Sequence, residues 1–322
     1  MCQSGVLGLD NAKTIVIALG GNALLQPGQR GTFDEQMRNM DSAAEQIAEL
    51  IAEGHQVVVT HGNGPQVGAL LIQHEAGRDR VPPMPLDVCG AESQGQIGYM
   101  LQQSIGRVLA RRLISRPVVT LVTQMAVSPG DPGFENPTKP VGPFYDGDYA
   151  ERRMNETCEK WIEDAGRGWR RVVPSPDPIR IVERSAILSL IRAGAVVIAN
   201  GGGGIPVVEK NGFCEGVEAV IDKDLGGERL AHDVNADILL ILTDVSHAAI
   251  HYGTPRQADL HTVKLDDLVR YQKEGHFKAG SMGPKIEACR RFIEHGGEAA
   301  IITQLAQAVE AIHGNAGTRI VR

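Results

Sequence analysis

Three lysines of this chain stand beside glycine or proline turns: Lys139 in NPTKPVG, Lys223 in VIDKD and Lys285 in GSMGPK. A lone lysine is usually a solvated surface group, and only the irregular turns around these three set them apart. Three glycine-rich loops accompany them: Gly20-Gly21-Asn22 in ALGGNAL, Gly62-Asn63-Gly64 in HGNGPQVG, and four glycines from Gly201 to Gly204 before Ile205-Pro206. Without side chains, glycines let main-chain N–H groups come close to an oxyanion, which is how strand-to-helix turns hold phosphate. Any one such loop reads equally well as a tight turn. Taken together, lysines and amides suit phosphoryl transfer, where catalysis is mostly alignment and charge neutralisation over the moving group. Asp224, beside Lys223, reads as the N-cap of the helix that follows, a role that does not exclude orienting two lysines.

The loops need strands and helices to position them. An apolar run at 15–19 predicts a buried strand that stops at the first glycine pair. Spacings of three and four predict a helix over 34–53, closed by Gly54, and then a strand over 56–60 that leads into HGNGPQVG, where Pro65 suits a first helical residue. A Pro-rich link at 81–85 precedes a helical pattern from 91 to about 113, and 117–127 reads as a strand. From 128 to about 178 prolines and glycines crowd the chain, with a short charged helix near 150–164. So long an irregular stretch predicts a small subdomain protruding over the site, inserted in a single domain of 1–322; a loose surface flap is the plainer reading. Alternation then resumes with a helix over 182–192 and a strand over 195–199 that ends at the four glycines. A helix runs to about 234 and a strand over 237–243, followed by helices at 265–274 and 284–295. A strand at 299–302, a helix at 304–312 and an end strand at 318–321 complete the chain. This rhythm predicts an α/β fold, a three-layer αβα sandwich with an open, mainly parallel sheet. Ligands in such sheets lie at the carboxyl ends of the strands, where all three glycine loops fall.

Several chemistries are set aside by the residues. Net charge is -7 and aromatics are 4%, against a general nucleic-acid surface or a base-stacking platform. The five cysteines, Cys2, Cys89, Cys158, Cys214 and Cys289, form no C-x-x-C pair and fit a reducing compartment. The leader 1–13 lacks a signal-peptide pattern, and no run approaches the roughly 20 apolar residues of a membrane span, so a cytoplasmic protein without membrane contact is expected. The stretch GNGPQVG has one residue too many for a dinucleotide fingerprint, and no acidic residue ends a strand about 20 positions on. No lysine follows a glycine, which excludes the common phosphate loop, and Ala91-Glu92-Ser93-Gln94-Gly95 lacks the first glycine of a nucleophile elbow, leaving Ser93 as a helix-start residue.

The combination of ALGGNAL, HGNGPQVG, SQGQIGY (93–99), NPTKPVGPFY (136–145), EDAGRGWRRVVPSP (163–176), GGGGIPV (201–207), GVEAVIDKD (216–224) and GSMGPK (280–285), in that order, closely resembles the carbamate kinases of the amino acid kinase family. The resemblance implies reversible phosphoryl exchange between carbamoyl phosphate with ADP and carbamate with ATP, serving arginine and carbamoyl phosphate catabolism. It also implies magnesium carried by the nucleotide phosphates, with no metal ligand from the protein, and a cytoplasmic homodimer. By the same resemblance, Lys139 reaches in from the subdomain, Lys223 and Lys285 stabilise the phosphoryl group, and Asp224 holds lysines in place. Gly20, Gly21, Asn22, Gly62, Asn63, Gly64, Gly202, Gly203 and Gly204 would cradle the acyl phosphate and nucleotide phosphates. Thr243, Asp244, Tyr252 and Met282 would flank the nucleotide.

Chemistry and resemblance agree on one point. Carbamate is already an anion, so it needs no general base to attack phosphorus, and none is evident in the chain. Two rival readings remain. One is another amino acid kinase, acting on acetylglutamate or a nucleoside monophosphate; such enzymes typically carry a lysine in the first strand, where this chain has Ala18. The other is a silent sensor of nucleotide or carbamoyl phosphate, which has no need of three lysines aimed at a transferring group.

Overall fold

The structure is a computed structural model that describes residues 12–157, 159–164, 166–278 and 281–322. Cys2 and most of the leader, Cys158 and Gly280 lie outside the described residues, as does the side chain of Asn22. The first half of the chain runs β1 (Thr14–Leu19), α1 (Phe33–Ala52), β2 (Gln56–His61), α2 (Gly64–Gly77), α3 (Leu86–Arg111), β3 (Val118–Thr120) and β4 (Gln124–Ala126). A small unit follows, made of β5 (Lys139–Tyr145), α4 (Gly147–Glu156), β6 (Lys160–Glu163) and β7 (Trp169–Val173). Next come β8 (Arg180–Ile181), α5 (Arg184–Arg192), β9 (Val196–Ile198), β10 (Ile205–Lys210), β11 (Phe213–Gly216), α6 (Lys223–Asp233) and β12 (Ile238–Thr243). The last part holds β13 (Ala249–Ile250), β14 (Ala258–Asp259), β15 (Thr262–Lys264), α7 (Leu265–Lys273), α8 (Met282–Glu294), β16 (Ala299–Gln304), α9 (Ala308–Ile312) and β17 (Thr318–Val321).

Eight strands form the central sheet in the order β15-β17-β16-β12-β1-β2-β9-β3. All neighbours are parallel except β16 and β17. The central strands β1, β9, β12 and β16 are largely apolar because both faces are covered, and their residues alternate between two cores. Ile15, Ile17 and Leu19 of β1 pack with α1, α3 and α9. Val16 and Ala18 pack on the other face with α5, α6, α7 and α8. The fold is the expected αβα sandwich. Helix α1 shows how local chemistry sets an element's start: Glu35 N–H donates to Thr32 Oγ1, and Thr32 N–H donates back to Glu35 Oε2.

Four details differ from the sequence reading. The run 117–127 is two strands in two sheets. β3 stays in the central sheet, while β4 joins a second sheet of order β11-β10-β4-β8. The buried Gln94 side chain holds the break between them, accepting from Thr123 N–H at 2.7 Å and donating to Thr123 O at 3.1 Å. Helix α3 begins at Leu86, five residues before the expected start, since Leu86 and Cys89 are themselves buried. The β10–β11 hairpin was not anticipated, although Asn211-Gly212 at its turn, both with positive φ, is a strong hairpin signal. Finally, the Pro-rich stretch holds a three-stranded antiparallel sheet of order β5-β7-β6, with a register shift in the β5–β7 pairing between Val141 and Tyr145, and β6 occupies 160–163, within the range expected for the charged helix. The prolines of this sheet are tolerated because β5 is an edge strand, bonded on one side only. Tyr145 stacks on Tyr149 with ring centroids 4.3 Å apart, and Trp161 meets both edge-on, giving this sheet and α4 a small aromatic core.

Candidate active site

A cavity of about 320 Å³ opens at the carboxyl ends of β1, β2 and β9, three neighbouring strands of the central sheet. It is lined by Gly21, by Gly62, Asn63 and Gly64, by Gly201, Gly202 and Gly204, and by all three lysines. The loops meet closely. A Cβ on Gly62 would stand 3.0 Å from Lys223 Cδ and 3.5 Å from Gly21 N, so this glycine lets the first two loops and the lysine share one corner. Helices α2, α6 and α8 each begin at this cavity, bringing positive dipole ends to it.

Two of the lysines sit where helix stability disfavours them. Lys223 is the first residue of α6, and Lys285 lies in the first turn of α8. A cation there opposes the helix dipole, and a chain built for stability alone would place acids instead. Asp224 offsets the conflict. Its Oδ1 accepts from Lys223 Nζ at 2.7 Å and its Oδ2 from Lys285 Nζ at 3.0 Å. Burial pushes the Asp224 carboxyl up, but Lys223 and Lys285 outweigh it and hold the group below its ordinary range. Asp224 is therefore an anion with both oxygens committed.

The expected capping role falls to another residue. Asp222 is the N-cap of α6, accepting from Asp224 N–H at 2.9 Å, and Asp224 lies inside the helix. Asp222 also accepts from Lys139 Nζ at 2.7 Å, which ties β5 of the small sheet to the start of α6. Asp222 is a site residue beyond those expected from the sequence. The signal was there in the D-K-D run, since two acids beside one helix start cannot both be its cap. Ser93 was also misplaced: it is a buried residue of the third turn of α3, not a helix start. Gln94, whose amide also donates to Gly201 O at 2.9 Å, anchors the third glycine loop and had no sequence signal.

The remaining expected residues are placed as follows. Gly20 and Gly203 do not line the cavity. A Cβ on Gly20 would come to 2.6 Å of Leu242 O, so this glycine allows β1 and β12 to close on one another. Thr243 and Asp244 lie at the end of β12, next to that loop, and Gly20 N–H donates to Leu242 O at 2.9 Å. Met282 opens α8 beside the lining residues Ser281, Pro284 and Lys285, while Tyr252 is exposed. None of Thr243, Asp244, Tyr252 and Met282 lines the cavity itself.

Known proteins share this arrangement of chain. Residues 13–304 match the model of the amino acid kinase family. A carbamate kinase of Pyrococcus horikoshii is 57% identical over 310 residues, 95% of this chain and 98% of that protein. A carbamate kinase of Thermococcus kodakarensis is 57% identical over 313 residues, 96% of this chain and 99% of that protein. The structure of carbamate kinase from Giardia lamblia bound to AMP-PNP has 48% identity and a TM-score of 0.93, covering 97% of this chain and 99% of that one. With identity this high over nearly full length, the chain belongs to the amino acid kinase family and, within it, to the carbamate kinases.

Proposed function

We propose that this chain moves a phosphoryl group reversibly between carbamoyl phosphate with ADP and carbamate with ATP. The observation that carries the reading is the lysine cluster: Lys223 and Lys285 on one buried carboxylate, with Lys139 beside them on Asp222, all around a cavity floored by glycine loops. In the ATP-forming direction a β-phosphate oxygen of ADP attacks the phosphorus of carbamoyl phosphate. The bond between phosphorus and the carbamoyl oxygen breaks, and carbamate leaves with that electron pair as an anion. No proton has to move, so the obstacle is repulsion between anions. Lys223, Lys285 and the loop N–H groups at Gly21, Gly64 and Gly202 neutralise that charge, and Asp224 keeps the two lysines in place; Gly62 N–H is held by Leu19 O at 2.9 Å and serves the loop by its missing side chain.

Lys139 arrives from the stretch 128–178, which we treat as a subdomain over the site. Exchange of Asp222 for the phosphoryl oxygens as its partner would complete the charge on binding. Magnesium would enter as part of the nucleotide, and Asp224, with both oxygens on lysines, offers it no ligand. The nucleotide would extend toward Thr243, Asp244, Tyr252 and Met282, a course supported by the join between the Gly20 loop and β12. The homodimer, the cytoplasmic location and a place in arginine catabolism rest on the resemblance to the family; among the described residues no helix is long and apolar enough to cross a membrane.

The test is one assay: ATP formation from ADP, magnesium and carbamoyl phosphate, with acetyl phosphate as an alternative donor and acetylglutamate with ATP as an alternative acceptor. ATP from carbamoyl phosphate is expected. Its absence at every ratio of reactants would sink the reading, and turnover of acetylglutamate alone would favour the rival kinase.

A further inference from the structure

Asn63 enters the cavity from the second glycine loop, and its amide is held one way round. Ser93 is fully buried on α3, and its Oγ donates to Gly90 O at 2.6 Å. With its single hydrogen committed, Ser93 Oγ can only accept from Asn63, and Nδ2 supplies that bond at 2.9 Å. The partners of an amide decide which end is which. Here the serine draws nitrogen toward α3 and leaves Oδ1 with no partner among the described residues. Gly202 walls the amide on the side of the third loop, since a Cβ there would fall 2.2 Å from Nδ2 and 2.5 Å from Oδ1.

A bare acceptor is out of place in a site built to hold anions, because it repels phosphate oxygens. It suits a neutral N–H donor. Among acyl phosphates, the carbamoyl group carries an amino group where the acetyl group carries a methyl. We propose that Asn63 Oδ1 receives the amino group of carbamoyl phosphate, and that Ser93, a positioning residue, makes the site selective by locking the Asn63 amide. The inference rests on the phosphoryl-transfer reading above. Acetyl phosphate leaves Oδ1 unpaired, and a flipped amide would set donor against donor; both lose the hydrogen bond that selects the substrate.

The experiment compares carbamoyl phosphate and acetyl phosphate as donors for ATP formation, in the unaltered protein and in Ser93→Ala. The unaltered protein should favour carbamoyl phosphate, and in Ser93→Ala the ratio of the two kcat/KM values should fall about tenfold. Equal losses on both substrates mean that Ser93 serves only the helix, and an unchanged ratio means that the amide needs no lock; either result overturns the proposal. Ser93→Cys, nearly the same size with a far weaker acceptor, gives the same reading where the alanine variant does not fold. Equal use of both acyl phosphates by the unaltered protein overturns the assignment of Oδ1 without any variant. Failure to use carbamoyl phosphate at all is a separate result, the failure of the phosphoryl-transfer reading itself.

Discussion

Asp224 is 3% exposed and both its oxygens accept from lysines, so in the proposed function it serves as a fixed negative charge for the two. Replacing it by asparagine keeps the shape and removes the charge. Lys223 and Lys285, still partly open to the cavity, would then repel each other and turn toward water, away from the phosphoryl position. Asp224→Asn should lower kcat by about a hundredfold or more, the usual scale for loss of a charge-stabilising device. Steady-state ATP formation by the folded variant checks this, and a kcat within about threefold of the unaltered protein would show that the lysines do not need their shared anion.

At the scale of elements, the start of α6 joins two functions in one residue. Asp222 caps the helix and also pairs with Lys139 of β5. The two can be separated. Asp222→Asn retains a side-chain oxygen for the cap, so stability should change by less than about 0.5 kcal/mol, while Asp222→Ala should cost about 1 kcal/mol. The ion pair adds little to either figure, because Lys139 is partly exposed and screened by solvent. Both variants free Lys139 and should alter turnover alike. Denaturant unfolding read beside kcat tests the division, and equal loss of stability in the two variants would argue against Asp222 as the cap. The small sheet bearing Lys139 was hard to read from sequence for a physical reason: prolines and glycines signal a loop, yet an edge strand accepts them where its N–H groups have no partner to lose.

Over the whole molecule, the three strands that end at the site are locked together by buried groups beneath the loops. His61, the last residue of β2, is buried with its ring beneath Gly201, where a Cβ would come within 2.4 Å of it. Burial pushes its imidazole down to about 4. A histidine held neutral in the folded chain binds its proton more readily once unfolded, so stability is complete above about pH 6.5 and is lost as pH falls toward 4. The gap corresponds to roughly 3 kcal/mol. Melting temperature followed between pH 7 and 4 should fall, and His61→Gln should flatten that slope whatever it does to the height of the curve. An unchanged slope in the variant would remove His61 as the cause.

The order of strands and helices, the two-sided apolar strands and the glycine loops were legible in the sequence, because periodicity and turn chemistry are local properties of the chain. So were Lys139, Lys223 and Lys285 as a group, since each stands beside a glycine or proline turn that a stability rule does not call for. Pairing was not legible. That Gln94 bridges the turn before β4 to the third loop, that Lys139 reaches Asp222 and that Ser93 reaches Asn63 all depend on contacts between residues distant in sequence. Such contacts are selected by packing of the two cores against the sheet, and no local pattern specifies which side chains that packing brings within hydrogen-bond distance.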